Sequence, residues 1–140
     1  MGGTFAQALD INNKGQVVGQ SASDPTDVWE SLQAVLWEKG VLIPLAPEYP
    51  LSWPGWHSLN ERGQIVGTVL TTDGESHAVL WERKGKHIEM IDLNDQLAEP
   101  TSYLLIIANS INDRGWIVAD AVDLDDPAHL NRAVLLVPRD

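Results

Sequence analysis

The chain of 140 residues has the length of one domain, and with 44% hydrophobic residues it is able to bury a core. Its 20 acidic and 9 basic side chains leave a formal net charge of −11, which repels phosphate backbones and anionic lipid surfaces, so we expect neither nucleic acid nor a membrane as a partner. There is no cysteine, so the chain has neither disulfides nor thiolate metal sites. Because it has no long apolar run and no leader-like pattern in residues 1–6, we expect a soluble protein, and the sequence does not identify its compartment.

One nine-residue pattern, which begins Ile-Asn or Leu-Asn, occurs three times, at 11–19, 59–67 and 111–119. A second pattern, Ala-Val-Leu followed by Trp or Leu, comes after each copy, at 34–37, 78–81 and 133–136. The asparagines of the first pattern are 48 and 52 residues apart, a period typical of propeller blades and other stacked repeats. The sequence therefore predicts one domain of three repeat units, at about 1–48, 49–100 and 101–140.

Each copy of the first pattern predicts a β-hairpin. Apolar residues precede the asparagine, and β-branched residues follow the glycine three positions later. The asparagine side chain is able to bond the backbone two residues on, and glycine takes the positive φ of a short bulged turn. The predicted turns are Asn12–Gly15, Asn60–Gly63 and Asn112–Gly115.

Two further strands are expected in each unit after a polar loop of variable length. The third strand is the Ala-Val-Leu segment, and the fourth is Val41–Leu45 in the first unit and His87–Leu93 in the second. Pro44 fits only an edge strand because it has no N–H to donate to a ladder. The third unit ends soon after its third strand, so we expect eleven strands where three complete units have twelve.

The predicted fold is all-β, with three tandem antiparallel four-stranded sheets that resemble propeller blades, the last blade lacking its fourth strand. Three blades are fewer than the four to eight that most propellers use for closure. The sequence leaves three arrangements open: a compact prism-like trio of sheets, a six-bladed ring of two chains, or an open array capped by a partner. The unpaired strand edge favours self-association into a homo-oligomer.

The repeated patterns, Ile-Asn-x-x-Gly-x-Val-Val-Gly and then Ala-x-Leu-Trp, resemble the HAF repeat, a bacterial repeat often assigned to extracellular proteins and thought to form β-propeller-like structures. The best match is 77–81, His-Ala-Val-Leu-Trp, in which Val79 replaces the usual phenylalanine. Gln33 and Arg132 stand in place of that histidine in the other units. The resemblance covers nearly the whole chain. It implies a propeller-like fold and an extracellular setting, and it implies no catalytic residues.

The residue before each hairpin glycine is basic, at Lys14, Arg62 and Arg114. If the units are related by rotation, these three side chains form a ring that is able to bind an anion. The simpler interpretation is three solvated turn tips in an acidic protein.

Tryptophan occurs both inside and outside the repeated patterns. Trp37 and Trp81 occupy equivalent strand positions, with Leu136 as the third member, which predicts core residues. The non-repeated tryptophans and their neighbour form a candidate binding site for a sugar ring or a protein partner, although indoles also close the ends of sheets. These residues are Trp29, Trp53, Trp56 and His57.

No spacing of ionisable residues matches a known catalytic or metal site, so we expect neither a catalytic centre nor a metal or other cofactor. The histidines, at 57, 77, 87 and 129, follow no ligand pattern. The acidic loop, with Asp120, Asp123, Asp125 and Asp126, lacks the EF-hand pattern and is expected to be solvated.

Three functions remain as hypotheses. The first is a non-catalytic interaction module whose loops, 20–33, 46–57 and 120–131, meet a protein partner or another copy of the chain. The second is a carbohydrate-binding module that uses Trp53 and Trp56. The third is a propeller-type hydrolase or lyase that depends on the histidines and the acidic loop.

Overall fold

The structure, a computed structural model, describes residues 5–139. Residues 1–4, on which the leader prediction partly depends, and Asp140 lie outside the described part. The described chain is all-β, and two 3-10 turns, Trp29–Ser31 and Leu93–Gln96, are its helical segments. The eleven strands are β1 (Ala6–Ile11), β2 (Val17–Ala22), β3 (Leu32–Glu38), β4 (Val41–Pro44), β5 (Leu51–Leu59), β6 (Ile65–Leu70), β7 (Ser76–Lys84), β8 (His87–Asp92), β9 (Tyr103–Ile111), β10 (Ile117–Asp123) and β11 (Asn131–Leu136).

The strands form two sheets, one of four strands in the order β1-β2-β3-β4 and one of seven in the order β11-β10-β9-β5-β6-β7-β8. Consecutive strands pair antiparallel within each repeat, so unit 1 is β1–β4, unit 2 is β5–β8 and unit 3 is β9–β11. The predicted strand content is confirmed, and unit 3 has three strands within residues 5–139. Pro44 lies on edge strand β4, as expected for a residue without an N–H.

The number of sheets differs from the prediction, because units 2 and 3 share one sheet. Strands β5 and β9 run parallel and meet at a single bridge between His57 and Ser110. The Ser110 hydroxyl donates to the His57 carbonyl over 3.0 Å. Gly55 permits this approach, because a Cβ at that position would lie 2.2 Å from the carbonyl oxygen of Asn109. The result is two sheets rather than three.

The three predicted hairpin turns are confirmed. In the first, Asn12 Oδ1 accepts hydrogen bonds from the backbone N–H groups of Lys14 and Gln16, each over 3.1 Å. The other two asparagines make the same pair of bonds. The closing glycine takes a positive φ in each turn, at Gly15, Gly63 and Gly115.

Each unit carries one apolar row across its strands on the side that we call the back face. Cross-strand pairing connects these rows: Ile11, Val17, Trp37 and Leu42 in unit 1; Leu59, Ile65, Trp81 and Met90 in unit 2; Ile111, Ile117 and Leu136 in unit 3. The opposite side of each unit, which we call the front face, carries a second apolar row. These rows are Val18, Leu36 and Ile43 in unit 1; Val66, Leu80 and Ile91 in unit 2; and Val118 and Leu135 in unit 3.

The core consists of two clusters, one at each junction between units. The first joins the front face of unit 1, with Val18 and Leu36, to the back face of unit 2, with Ile65 and Trp81. The second joins the front face of unit 2 to the back face of unit 3 in the same way, with Val66 packed in the cluster of Ile117. The units therefore stack front to back in one direction along the chain.

Candidate functional site

The hairpin turns of successive units are hydrogen-bonded to one another. The Asn12 side-chain amide Nδ2 donates to the carbonyl oxygen of Asn60 over 3.1 Å, and Asn60 Nδ2 donates to the carbonyl oxygen of Asn112 over 3.0 Å. We call these three residues the asparagine ladder. Each side-chain oxygen holds its own turn, and the first two side-chain nitrogens bind the next unit.

A second pair of bonds runs beside the ladder. The backbone N–H of Asn13 donates to the Glu61 carboxylate over 3.0 Å, and the backbone N–H of Glu61 donates to Asp113 Oδ1 over 2.9 Å. Both junctions between units thus use the same two sites on the turn. Farther along the first junction, Arg83 of unit 2 forms an ion pair with Glu38 of unit 1.

The three basic residues of the proposed anion ring lie on these turns and are exposed. They are Lys14, Arg62 and Arg114. Arg62 donates through Nη2 to Gln64 Oε1 over 2.8 Å, within its own turn. Because the carboxylates of Glu61 and Asp113 lie between adjacent turns, the cations belong to a row of mixed sign.

The back face of unit 1 is open to solvent. Trp37 is 47% exposed, whereas Trp81, its equivalent in unit 2, is fully buried at 0%. Ile11 and Leu42 are exposed on the same face. A shallow, mainly apolar groove of about 230 Å³ lies on this face, with Gly19 in its lining. The prediction that the repeated tryptophan is a core residue is therefore right for Trp81 and wrong for Trp37, because no unit covers the back of unit 1 within the described chain. We call Ile11, Val17, Trp37 and Leu42 the open back face.

The front face of unit 3 is open as well. Leu135 is 55% exposed, whereas its equivalent in unit 1, Leu36, is 2% exposed. Val118 is exposed beside it, while Val18 and Val66 are buried. The rim of this face carries Trp116 and Val137, both exposed. We call Trp116, Val118, Leu135 and Val137 the open front face.

Two departures from the repeat distinguish the open front face from the covered ones. In unit 1, Gln16 donates through Nε2 to Glu38 over 3.0 Å, and in unit 2 Gln64 does the same to Glu82 over 3.2 Å. Unit 3 has Trp116 and Val137 at these two places, so an apolar pair replaces a polar pair. Comparing the copies position by position reveals this signal in the sequence, although the repeat pattern alone did not suggest either residue as functional.

The structure places the predicted tryptophan site on different elements. Trp53, Trp56 and His57 lie in strand β5 and not in a loop, whereas Trp29 begins a 3-10 turn between β2 and β3. Trp56 is 71% exposed and Trp29 is 68% exposed, while Trp53 is half-buried. The Trp29 ring lies 5.6 Å from the Phe5 ring in a tilted arrangement.

These residues do not form one cluster. The loop between β2 and β3 lies at the end of unit 1 opposite its hairpin turn, whereas Trp56 lies four residues before Asn60, toward the turn of unit 2. His57 contributes its carbonyl oxygen to the contact with Ser110, so its described hydrogen bond is a backbone one.

The predicted interaction loops are shorter than expected. The segment 20–33 includes the end of β2 and the start of β3, and 46–57 includes most of β5. The segment 120–131 includes the last four residues of β10 and the first of β11. Pairing between strands extends into all three segments, which leaves 23–31, 45–50 and 124–130 as the connections.

His77 makes more side-chain hydrogen bonds than any other histidine in the described chain. Its Nδ1 lies 2.5 Å from Asp92 Oδ2, and its Nε2 lies 3.4 Å from Glu75 Oε2. Partial burial disfavours the charged ring, but the hydrogen bond and charge of Asp92, helped by Glu75, outweigh it and raise the pKa of His77 above its ordinary value of 6.5. Asp92 also accepts from Asn94, which bonds Leu105 of unit 3. This network fastens the connection between units 2 and 3.

The equivalent positions in the other units have comparable roles. Gln33 donates through Nε2 to the carbonyl oxygens of Tyr49 and Pro50, in the connection that follows unit 1. Arg132 forms an ion pair with Asp126 over 2.7 Å inside its own loop. The histidine position of the repeat is thus a tether for neighbouring backbone or loops.

The acidic loop of unit 3 uses its carboxylates in local turns. Asp123 accepts from the Ser102 hydroxyl over 2.6 Å and from the backbone N–H of Asp125. The hydrogen bond from Ser102 has the largest effect and the one from Asp125 adds to it, and together they lower the pKa of Asp123. No group of three or more His, Asp or Glu side chains within residues 5–139 is placed to hold a metal ion.

A broad, open depression of about 550 Å³ lies along the connection between units 2 and 3. Leu97, Tyr103, Leu104 and Leu124 supply most of its apolar lining, and Glu99 is the one carboxylate that lines it. This lining has no second carboxylate and no histidine to form an acid–base pair.

Within residues 5–139, neither 3-10 turn has the length and apolar character of a membrane-spanning helix. Comparison with known proteins finds no matching family model, no matching curated protein and no matching solved structure.

Proposed function

We propose that this protein is a non-catalytic β-repeat interaction module that binds a second copy of itself, with its three units arranged as propeller-like blades. The observation that carries the proposal is the contrast in burial at equivalent positions. Each junction inside the chain buries a front face against a back face, and one face of each kind stays open at the ends.

The large apolar side chains exposed on the open faces support an association of measurable strength. Burying an apolar side chain as large as Trp37 or Leu135 is worth roughly 1.5–3 kcal/mol. An exposed row of such residues is typical of an interaction surface. The formal charge of −11 on each copy opposes association through repulsion, so salt that screens this charge is expected to strengthen it.

The resemblance to HAF repeats is part of the same proposal. Its support is that the shared residues occupy equivalent structural positions: three hairpin turns with the same asparagine bonds, and the second position of the third strand, which tethers neighbouring backbone or loops. These positions are structural, and this agrees with a scaffold that binds rather than one that catalyses.

The test is sedimentation of the purified chain at micromolar concentration. We expect a species larger than the 15.4 kDa monomer, with a fraction that rises with salt. A variant with Trp37→Glu and Leu135→Glu is expected to sediment as a folded monomer, since both positions are solvent-exposed. A wild-type chain that stays at 15.4 kDa across the concentration range rules the proposal out.

A second candidate function is carbohydrate binding, and the exposure of Trp56 favours it. An indole that is 71% exposed on strand β5 offers a flat face on which a sugar ring is able to stack. The test is a glycan array with the wild-type chain and with Trp56→Ala. Trp29→Ala is the matched control, because it removes an equally exposed indole from a different element. Binding that survives Trp56→Ala, or no binding to any glycan, rejects this function.

A further inference from the structure

The hydrogen bonds at the junctions give the repeat array a direction. The first two asparagines of the ladder each donate from the side chain to the main chain of the next unit, and within residues 5–139 neither bond runs in the reverse direction. Within residues 5–139, Asn112 Oδ1 holds its own turn, and Asn112 Nδ2 makes no hydrogen bond. At the other end of the ladder, the Asn12 carbonyl oxygen accepts from Gly15, just as the Asn60 carbonyl oxygen accepts from Gly63. Asn60 O receives an additional bond from the preceding unit, and Asn12 O receives none from the part of the chain that the structure describes.

The two open faces have the same complementary relation. The open front face of unit 3 carries the positions that meet a back face at both junctions, and the open back face of unit 1 carries the positions that meet a front face. The apolar pair Trp116 and Val137 adds contact area only on the front face that is open. The open front face of unit 3 has the same positions as the two covered front faces and is more apolar than either of them. It therefore fits a partner that carries a back face.

We infer that a second copy of this chain docks head to tail, with the open front face of one copy on the open back face of the other. The inference rests on the proposed self-association and specifies its geometry. Asn112 Nδ2 donates to the Asn12 carbonyl oxygen of the second copy, and Asp113 lies beside its Asn13, as Glu61 lies beside Asn13 within the chain. Trp37 of the second copy packs against Leu135 and Val118.

This contact joins two different surfaces, so successive contacts form a closed ring only if the rotation from one unit to the next allows it. Two copies supply six units, which lies within the range of four to eight blades in which propellers close. In such a ring both copies use both faces, and no unit is left with an uncovered face.

Cross-linking tests the geometry, because the chain has no cysteine of its own. Asn13→Cys and Asp113→Cys are prepared as separate chains, mixed and treated with a short thiol cross-linker. We expect the mixture to give a two-chain product at least about ten times faster than either chain alone, since in a head-to-tail contact only unlike positions meet. The double variant Asn13→Cys with Glu61→Cys calibrates the rate, because those two residues are in contact inside one chain. Asp73→Cys, on the turn at the opposite end of unit 2, replaces Asp113→Cys in the negative control.

Complementation of two charged variants tests the faces. Trp37→Glu blocks the back face of every copy and Leu135→Glu blocks the front face, so each variant alone is expected to lose about a hundredfold in self-association. The mixture pairs the intact front face of the first variant with the intact back face of the second, and a two-chain complex is expected to reappear. A back-to-back contact leaves Leu135→Glu unimpaired, and a front-to-front contact leaves Trp37→Glu unimpaired.

Either of those results overturns the inference, as does a mixture that stays monomeric. Self-association of the wild-type chain without preferential cross-linking of Asn13→Cys to Asp113→Cys also overturns the head-to-tail geometry, while the proposed function stands. A monomeric wild-type chain overturns both.

Discussion

Trp37 and Trp81 have the same place in the repeated sequence and opposite environments. Trp81 lies in the first core cluster with the front face of unit 1 against it, whereas Trp37 faces solvent on the back of unit 1. The local pairing is also the same, since each indole lies across from an apolar residue on the second strand of its unit. The difference shows that the repeat encodes a face suited to burial, and that the neighbouring unit decides whether the face is buried.

The two ends of the array differ in the same informative way. Unit 1 keeps the repeat's residues on its open back face, whereas unit 3 replaces a polar pair with Trp116 and Val137 on its open front face. Replacement of a polar pair by an apolar pair is not expected on a face that stays in water, because exposed apolar side chains promote association. Substitutions on a covered face and on an open face are therefore expected to have different costs.

The largest expected effect is on the covered tryptophan. Trp81→Ala is expected to lower the free energy of unfolding by about 3–5 kcal/mol, because it leaves a large cavity between units 1 and 2. Since Trp81 Nε1 is buried without a hydrogen-bond partner in the described chain, this loss reflects packing. Trp37→Ala is expected to cost the isolated chain about 1 kcal/mol or less. Urea denaturation of both variants provides the comparison.

A Leu135→Glu background keeps the copies apart during this measurement, so that association does not add to stability. Equal losses for the two tryptophans in that background contradict the difference in environment.

The next effect concerns the junction between units 2 and 3. Gly55→Ala is expected to cost about 1–3 kcal/mol, because the new Cβ would lie 2.2 Å from the Asn109 carbonyl oxygen and the strands would have to separate. Amide hydrogen exchange is expected to accelerate in both 51–59 and 103–111. The matched control is Gly74→Ala, which has no atom within 4 Å of the added Cβ but has a φ of +83°. Its strain is local, so faster exchange confined to 71–76 is expected there, and faster exchange in β9 from this control would argue against the contact.

A third comparison tests the asparagine ladder with the most conservative change. Asn60→Asp keeps the oxygen that holds the turn but loses the amide that donates to Asn112 and Gln64, and we expect a loss of about 2 kcal/mol. Asn112→Asp keeps the turn bonds and loses no described bond, so about 0.5 kcal/mol or less is expected. Chemical denaturation at neutral pH measures both.

The head-to-tail contact adds a second expectation for Asn112→Asp. This variant is expected to weaken self-association while leaving the stability of the isolated chain nearly unchanged, since its amide donates only to the second copy. A similar loss of stability in both variants shows that the turn, and not the junction, depends on these side chains.

The smallest effect is the pH dependence of the tether at His77. Because the pKa of His77 is raised in the folded chain, its contribution is fully present below the unfolded value of 6.5 and is lost as the pH rises through the folded value. The contribution is expected to be less than about 1 kcal/mol for a partly exposed pair. His77→Asn is expected to flatten the stability profile in this window, whereas the exposed His87→Asn leaves its slope intact. A slope that persists in His77→Asn assigns the dependence to another group.

Much of the fold was predictable because turn chemistry is local. Asn12 with Gly15 requires only the backbone of its own hairpin, and the same pair in each unit marked every first and second strand. Pro44 marked an edge for an equally local reason.

The prediction failed where a distant segment decides the local conformation. Pro54 and Gly55 are turn formers by composition, and the sequence predicts 46–57 as an interaction loop that includes Trp53 and Trp56. In the structure Gly55 lies against the Asn109 backbone, and residues 51–57 of this segment belong to strand β5. The predicted number of sheets is wrong for the same reason, because no local sequence pattern indicates a parallel bridge between residues 57 and 110.

The candidate site was predictable only in part. The sequence directs attention to the places where the copies disagree and suggests self-association, which stays a prediction, yet the exposure of Trp37 depends on what stacks on unit 1. Trp116 and Val137 were visible as exceptions to the repeat, but their meaning depends on the Gln–Glu pair that they replace, and that pair is recognisable only in three dimensions.

The asparagine ladder also affects how the molecule folds. A side chain that holds its own turn with its oxygen and the next turn with its nitrogen couples two hairpins that lie 48 residues apart in the sequence. Loosening of one turn therefore removes a bond from its neighbour, which is the nearest-neighbour coupling that makes stacked repeats unfold cooperatively. The middle unit is coupled on both sides and the outer units on one side each, so fraying begins at the ends and reaches unit 2 last.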